Sequence, residues 1–192
     1  REELSKISGV KAAYTASLGG AGLLNEFSAE PVGDWGLNIF NAECANVLSR
    51  DFKRLTLSPE LTLSEISYIT ARTAAQCEII VYGRQALMLS RACLIRGIKN
   101  KCGCAHPVSL SDGTGAQFFV FGDSLTHLNT LVNSRPTFTA DKLRELKKSG
   151  AEVYRLCFTT ETPEEAQSIT RMYKGLSPVK KPPVYTRGYF FK

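Results

Sequence analysis

The sequence predicts an α/β fold in which a parallel sheet alternates with helices. Five short apolar runs, at 10–16, 35–40, 54–57, 78–82 and 153–158, are each bounded by polar residues or glycine. Near-continuous apolar runs of this length are typical of strands that are buried on both faces. Segments with helix signals lie between them, and this alternation favours a mostly parallel sheet.

The predicted helices carry recognisable start signals. A Thr-x-x-Glu pattern, which is that of a capping box, opens predicted helices at 62–74 and 162–175. Pro163 occupies the first helical position of the second of these, where its missing N–H costs nothing. Two further helices are predicted at 44–50 and 142–149.

One stretch breaks the alternation of strand and helix. Two short apolar segments between His106 and Phe121 flank a Ser-Asp-Gly-Thr-Gly turn, and this pattern predicts a β-hairpin. The hairpin belongs to an insertion at about 93–137, between the fourth and fifth parallel strands. Long insertions in such connections are often functional.

Five parallel strands fit two architectures. One is a complete doubly wound domain, and the other is the later part of a TIM-like (β/α)8 barrel, which needs about 250 residues. The chain does not begin with Met, and its charged residues 1–8 resemble a helix, which favours the partial barrel. We therefore expect a partial barrel domain over 1–175 and a basic, proline-containing C-terminal segment over 176–192.

The composition is that of a globular protein whose positive charge is localised. The chain has 192 residues, 24 Lys and Arg against 18 Asp and Glu, and 43 % hydrophobic residues, which excludes a disordered or collagen-like chain. All of the net charge of +6 lies after Glu165, where six basic residues have no acidic neighbour. A second acid-free stretch covers 79–111. Both regions suit either a phosphate or RNA contact or a plain solvated surface.

The sequence carries no membrane or secretion signal. No apolar run approaches the roughly 18 residues of a membrane span, and Arg1-Glu2-Glu3 is not the start of a signal peptide. The six Cys are unevenly spaced in a chain of this size, which favours a reducing compartment over a disulfide scaffold. We expect a cytoplasmic protein without a membrane partner.

Polar side chains gather at the predicted carboxyl ends of the strands, where parallel α/β folds place their ligand chemistry. They are Asn38, Asn41, Ser58, Glu60, Tyr82, Arg84, Thr159, Thr160 and Glu161. This set suits either a binding pocket or the ordinary polar start of loops. The sequence has no Gly-x-Ser-x-Gly, His-Glu-x-x-His, phosphate-loop or dinucleotide pattern, so serine-protease, zinc-protease and nucleotide chemistry have little support.

The strongest constellation of metal-ligating residues is Cys93, Cys102 and Cys104, with His106 and His127 nearby. Closely spaced thiolates are ligands of zinc and of iron–sulfur clusters, and basic surroundings favour the thiolate form. Because Cys-Gly-Cys is less diagnostic than Cys-x-x-Cys, the alternative is a loop of thiols that binds no metal.

Several blocks of the sequence resemble one known family in the same order. Residues 78–95 are similar to the signature of the peptidase U32 family, the collagenase-like proteins. Their sequence is Glu-Ile-Ile-Val-Tyr-Gly-Arg-Gln-Ala-Leu-Met-Leu-Ser-Arg-Ala-Cys-Leu-Ile. Further blocks that resemble the family lie at 36–41, 57–61, 133–136, 155–159 with Glu161, and 185–189. The resemblance implies the later part of the family's barrel-like catalytic domain.

Together, the resemblance and the polar strand ends imply a peptidase site. The expected catalytic residues are Glu60, Tyr82 and Glu161. The expected substrate-binding residues are Asn38, Asn41, Ser58, Arg84, Thr159 and Arg187. An incomplete barrel also exposes sheet edges, so we expect self-association of the chain.

The resemblance also implies a cofactor and two further functions. Relatives hydroxylate RNA bases or take part in ubiquinone hydroxylation, and they carry an iron–sulfur cluster on four Cys. Cys93, Cys102 and Cys104 fall near such positions, whereas Ala86 and His127 stand where many members have Cys. The implied centre on Cys93, Cys102, Cys104 and His127 is a [4Fe-4S] cluster, a Cys3His zinc site or no metal at all. Three functions stay open: a peptidase, a cluster-dependent RNA hydroxylation factor and a nonenzymatic RNA-binding module. The expected partner is a peptide or RNA.

Overall fold

Strands and helices alternate along most of the chain. A computed structural model describes residues 9–100 and 103–192, with only the backbone of residues 98 and 99. The helix expected at 1–8 and the predicted ligand Cys102 lie outside the described residues. Within the described residues the strands are β1 (Ala12–Thr15), β2 (Glu30–Gly33), β3 (Arg54–Thr56), β4 (Gln76–Gly83), β5 (Ala86–Ser90), β6 (Val108–Ser111), β7 (Gln117–Gly122), β8 (Asn129–Val132), β9 (Thr137–Phe138) and β10 (Val153–Cys157). The helices are α1 (Leu18–Glu26), α2 (Ala42–Leu48), α3 (Leu63–Thr70), α4 (Leu94–Lys99), α5 (Leu143–Lys148) and α6 (Pro163–Tyr173).

The main sheet is a half-barrel. Its five parallel strands follow the order β1-β2-β3-β4-β10, and the short strand β9 pairs antiparallel with β4. This order follows the chain without the reversal that defines a doubly wound sheet. The fold class predicted from the sequence is confirmed, and the barrel is the correct one of the two architectures.

The strand predicted at 35–40 is wrong. The strand lies earlier, as β2, and Asp34 then caps a 3-10 turn (Trp35–Leu37) by accepting a hydrogen bond from the N–H of Trp35. Ile39 retains only a single bridge to Leu57. The β2 segment Glu-Pro-Val-Gly has no apolar run to reveal it. Pairing with β1 and β3 on both sides makes it a strand, so tertiary context overrides local propensity.

The predicted helix caps are confirmed. Thr62 and Thr162 each accept a hydrogen bond from the N–H three residues on, and the Glu at that position reaches back to the backbone of the Thr. The helix α3 ends at Thr70, four residues short of its predicted end. Gly150 follows α5 with a φ of 77°, a conformation that favours glycine at a helix end.

The insertion is larger than a hairpin. β6 and β7 form the predicted hairpin, but they belong to a four-stranded antiparallel sheet in the order β5-β8-β7-β6. β5 and β8 escaped prediction because their pairing joins residues about forty positions apart, as in Leu89 with Thr130. Local sequence carries no signal for such a pairing.

The main core lies between the half-barrel and its helices. Along β4, Cys77, Ile79 and Val81 face this core, whereas Glu78 and Tyr82 face the opposite, concave side. The core also contains large, fully buried side chains from β3, α3 and α5: Leu55, Ile66, Ile69 and Leu146. Away from the main core, Glu78 is a fully buried charge, and Tyr82 packs in a second apolar cluster with Phe138 and Met172.

The C-terminal segment is anchored to the half-barrel through its last residues. Phe190 is buried in the main core, and its carbonyl accepts a hydrogen bond from the N–H of Leu63 at the start of α3. The backbone N–H of Thr186 donates to the carbonyl of Pro136, and the carbonyl of Thr186 accepts from the N–H of Phe138. The segment therefore lies across the carboxyl ends of the strands. No helix in the described ranges is long and apolar enough to cross a membrane.

Candidate active site

A pocket of about 470 Å³ lies at the carboxyl ends of the parallel strands, and we call it the mouth pocket. Its wall includes five of the nine residues predicted to bind or convert substrate: Asn38, Ser58, Glu60, Arg84 and Thr159. They come from the segments that follow β2, β3, β4 and β10. Because parallel strands bring their carboxyl ends to one edge, side chains more than a hundred positions apart share this pocket.

A second cleft of about 720 Å³ adjoins the mouth pocket, and we call it the side cleft. Tyr82 and Glu161 line it, and Arg84 lines both spaces. Its other walls include Phe138 of β9 and both apolar and polar side chains of α6, and Lys180 and Lys181 of the C-terminal segment also line it. Arg84 therefore lies at the junction of the two spaces.

Tyr82 and Glu161 form a hydrogen-bonded pair. The Tyr82 hydroxyl donates to Glu161 Oε1 at 2.8 Å, and Oε2 accepts from the backbone N–H groups of Thr159 (2.7 Å) and Thr160 (3.0 Å). Burial, together with this bond to Glu161, raises the pKa of Tyr82 well above its ordinary value. Burial alone would raise the pKa of Glu161, but its backbone and Tyr82 hydrogen bonds outweigh burial and lower it. The pair is therefore a protonated phenol held by a carboxylate.

Arg84 is held by four contacts from three parts of the chain. Its Nη1 donates to the carbonyls of Asn133 (3.1 Å) and Ser134, its Nε donates to Thr160 Oγ1 at 3.4 Å, and its guanidinium lies 5.1 Å from the centre of the Phe119 ring. These contacts link β4 to the inserted sheet and to the loop after β10.

Gly83 allows β4 to approach β10 beside this arginine. Its φ is 124°, and a Cβ at this position would lie 2.2 Å from the carbonyl oxygen of Cys157. Only glycine fits such an approach, so a side chain here would push apart the two strand ends that carry Tyr82 and Glu161.

A buried ionic network lies next to the mouth pocket on the concave face. Glu78 is fully buried; its Oε1 accepts from Thr56 Oγ1 at 2.9 Å and its Oε2 accepts from the Tyr14 hydroxyl at 2.8 Å. Arg155 Nε lies 3.1 Å from Glu78 Oε1, and Arg54 Nη1 lies 3.9 Å from Oε2. The carboxylate is thus enclosed by two hydroxyls and two guanidinium groups.

Arg155 connects this network to the segment after β2. Its Nη2 donates to Asp34 Oδ1 at 2.8 Å, and its guanidinium lies 4.5 Å from the centre of the Tyr14 ring. Burial lowers the pKa of Arg155, but the hydrogen bond and charge of Asp34 outweigh burial, so the net shift is upward. Cys157 lies two residues further along the same strand and lines the mouth pocket. The network therefore supports the pocket from the adjoining layer of side chains.

Comparison with known proteins supplies the family. A family model described as "Peptidase family U32" matches residues 8–177 of the 192-residue chain. The chain belongs to peptidase family U32. No curated protein and no solved structure matches it. In this U32 chain the matched region contains the half-barrel and the inserted sheet, and it ends shortly after α6.

Sequence reasoning missed the Glu78 network of this U32 chain. Its signal was present, because Glu78 and Arg155 are single charged residues within otherwise apolar strands. A charged residue is almost never buried unless it is paired, so each one implies a partner. The sequence could not show that the two strands are neighbours, and hence that these charges pair.

Two predicted substrate-binding residues have other contacts. Asn41 is the N-cap of α2, where its Oδ1 accepts from the N–H of Cys44 at 2.7 Å. Arg187 forms a two-pronged ion pair with Asp141, with Nη2 to Oδ2 at 2.7 Å, and Lys181 Nζ lies 3.0 Å from the same carboxylate. Two of the basic residues of the C-terminal segment are therefore matched by an acid, and the predicted binding roles of Asn41 and Arg187 stay predictions.

The predicted metal ligands lie near one end of the inserted sheet. Cys93 caps α4, with its Sγ accepting from the N–H of Arg96 at 3.3 Å, and His127 is exposed in the turn between β7 and β8. A Cβ added to Gly122 would lie 3.0 Å from Cys104 Sγ, which places Cys104 against β7. Among residues 9–100 and 103–192, no three His, Cys, Asp or Glu side chains are arranged to hold a metal ion. The metal site stays a prediction, since Cys102 lies outside these ranges.

Proposed function

We propose that this U32 chain binds a polypeptide at the mouth pocket and hydrolyses a peptide bond there. The observation that carries the proposal is the convergence of Glu60, Arg84 and Ser58 on one pocket at the carboxyl ends of the parallel strands. Membership of the U32 family supports the same reaction class.

Peptide hydrolysis requires a base for the attacking water and a donor for the oxyanion. Glu60 is the exposed carboxylate of the mouth pocket, and we assign it as the base. Arg84 is a permanent cation held in place by carbonyl groups and by Phe119, so we assign it to the oxyanion. A cation that is already fixed needs little reorganisation when charge develops.

The leaving nitrogen requires a proton, and Tyr82 is the protonated group beside Arg84. Its phenol is protonated at physiological pH, and burial together with the bond to Glu161 raises its pKa further. Glu161 accepts the Tyr82 hydrogen bond and is itself held by two backbone N–H groups, so it orients the phenol. We assign Tyr82 as the acid and Glu161 as its positioning partner: the phenol turns its one proton from Glu161 to the leaving nitrogen, and the proton that Glu60 takes from the attacking water restores the phenol. Asn38, Ser58 and Thr159 supply polar contacts for the substrate backbone.

The test is hydrolysis of gelatin and of fluorogenic peptides by the chain and its variants. Glu60→Gln removes the base and should lower kcat about 10²-fold or more, because general base catalysis contributes about 10²–10⁴-fold. The matched control is Glu152→Gln, an exposed carboxylate at the opposite end of β10. Tyr82→Phe should lower kcat and leave KM nearly unchanged. Equal activities of Glu60→Gln and Glu152→Gln, or an inactive wild-type protein, would overturn the proposal.

A further inference from the structure

The inserted sheet presents an unpaired edge beside the mouth pocket. β5 pairs with β8 on one side, and within the described part of the chain no strand pairs with its other side. Three consecutive large apolar residues of β5 are exposed: Leu87 (52 %), Met88 (42 %) and Leu89 (55 %). An exposed apolar edge strand carries a row of backbone N–H and C=O groups that can pair with another extended chain.

β5 has no charged residue or proline that would protect such an edge. Edge strands are commonly blocked by Lys, Pro or an inward-facing charge. The β5 sequence Ala-Leu-Met-Leu-Ser has none of these. The pairing register with β8 shifts between Ala86 and Met88, so a bulge at Leu87 bends the start of the strand next to the pocket, while Met88, Leu89 and Ser90 pair with β8 in regular register.

The edge is continuous with the mouth pocket. Ala86 and Leu87, at the start of β5, are part of the wall that also contains Glu60 and Arg84. A chain paired with β5 would therefore extend from the exposed edge directly into the pocket. This continuity connects a binding surface to the proposed catalytic groups.

We propose that β5 binds the substrate by strand addition, so that the substrate is an extended, unfolded polypeptide with apolar side chains. This inference rests on the proposed peptidase function and specifies its substrate class. The backbone groups of β5 select an extended backbone, and Leu87, Met88 and Leu89 select apolar side chains. A flexible peptide can contact both β5 and Glu60, whereas a second folded copy would have to bring its own edge strand into the pocket wall.

The test measures binding separately from hydrolysis. The probe is a fluorescein-labelled hexapeptide of alternating Val and Thr, titrated against the Glu60→Gln chain so that it stays intact, with fluorescence anisotropy as the readout. Leu89→Lys in this background should raise Kd at least tenfold. The matched control is Leu125→Lys, which places the same charge at a 72 % exposed leucine in the β7–β8 turn. That control should change Kd less than twofold.

A second probe tests the backbone pairing itself. The same hexapeptide with its four central amides N-methylated cannot donate to β5 and should bind at least tenfold more weakly to the chain without the lysine substitutions. Equal binding of both peptides, or equal effects of Leu89→Lys and Leu125→Lys, would overturn the proposal. The proposal would also be overturned if the peptide fails to bind and size-exclusion chromatography shows a dimer that Leu89→Lys converts to a monomer.

The two proposals fail in distinguishable ways. If the peptide binds through β5 but the wild-type chain hydrolyses nothing, the peptidase function is wrong and strand addition stands. If the wild-type chain hydrolyses peptides at a rate that Leu89→Lys does not change, strand addition is wrong and the peptidase function stands.

Discussion

Replacing Glu78 with Gln tests whether the buried carboxylate holds the half-barrel together. Glu78 has no exposed surface, and its two oxygens accept hydrogen bonds from Thr56 and Tyr14 while Arg155 and Arg54 lie beside them. Gln has nearly the same volume and keeps one acceptor oxygen. The substitution therefore removes the negative charge and changes the packing little.

The expected loss is about 2–3 kcal/mol in the free energy of unfolding. Removing one partner of a buried ion pair typically costs about 3–5 kcal/mol, because the other charge stays buried without compensation. We place the loss of about 2–3 kcal/mol below that range because Arg155 keeps Asp34 as a counterion at 2.8 Å and has 16 % of its side chain exposed. Arg54 is 35 % exposed and regains solvent contact.

Urea unfolding at pH 7, followed by far-ultraviolet circular dichroism, measures this loss. With a slope of about 2 kcal/mol per molar urea, the midpoint should fall by about 1–1.5 M. Glu60→Gln is the control, because its carboxylate is exposed and its loss should stay within about 0.5 kcal/mol.

A double-mutant cycle tests the pairing of Glu78 with Arg155 directly. Arg155→Gln and Glu78→Gln together should cost less than the sum of the two single changes, because each removes the same interaction. A Glu78→Gln midpoint equal to that of Glu60→Gln, or additive effects in the cycle, would refute the reasoning.

Further variants test the C-terminal anchor, a helix cap and the cysteine set. The hydrogen bond from Arg187, reinforced by Lys181, holds the pKa of Asp141 well below its ordinary value of 3.8, so its stabilisation is present above that pH and lost on acidification. The gap in urea midpoint between wild type and Asp141→Asn should therefore shrink from pH 7 to pH 3, and a constant gap would contradict this. Thr162→Ala removes the cap of α6 and should cost about 1 kcal/mol, seen as a lower urea midpoint, whereas an unchanged midpoint would show that the cap is dispensable. If the cysteine set binds metal, chain purified without oxygen should contain iron or zinc by elemental analysis, and Cys93→Ser should reduce that content; metal-free wild-type protein would remove this prediction.

RNA binding was predicted from the positive charge of the sequence, so the salt dependence of RNA affinity tests it. If Arg91 and Arg96 contact phosphate groups, RNA affinity should fall steeply as salt is added. An affinity that does not change with salt would contradict RNA binding. The pairing of Arg187 and Lys181 with Asp141 reduces the charge that the C-terminal segment can offer to RNA.

Local chemistry was sufficient for much of the fold. The capping boxes at Thr62 and Thr162 depend on residues three positions apart, so the sequence contains both partners of each interaction. The apolar runs at 54–57, 78–82 and 153–158 locate β3, β4 and β10 because burial on both faces leaves a continuous pattern. Among the polar residues after these strands, Ser58, Glu60, Arg84 and Thr159 line the mouth pocket, since parallel strands bring their carboxyl ends to one edge.

Only the tertiary structure decided the features that depend on distant partners. β2 has a weak sequence signal and becomes a strand because its neighbours pair with it, and β5 and β8 join residues about forty positions apart. Glu78 and Arg155 were visible as charges in apolar strands, but their pairing required β4 and β10 to be adjacent. The sequence by itself determined the helix caps and the apolar runs of β3, β4 and β10, because those features follow from neighbours along the chain. The contacts between charges and the free edge of β5 follow from the order of strands in space, which local sequence does not encode.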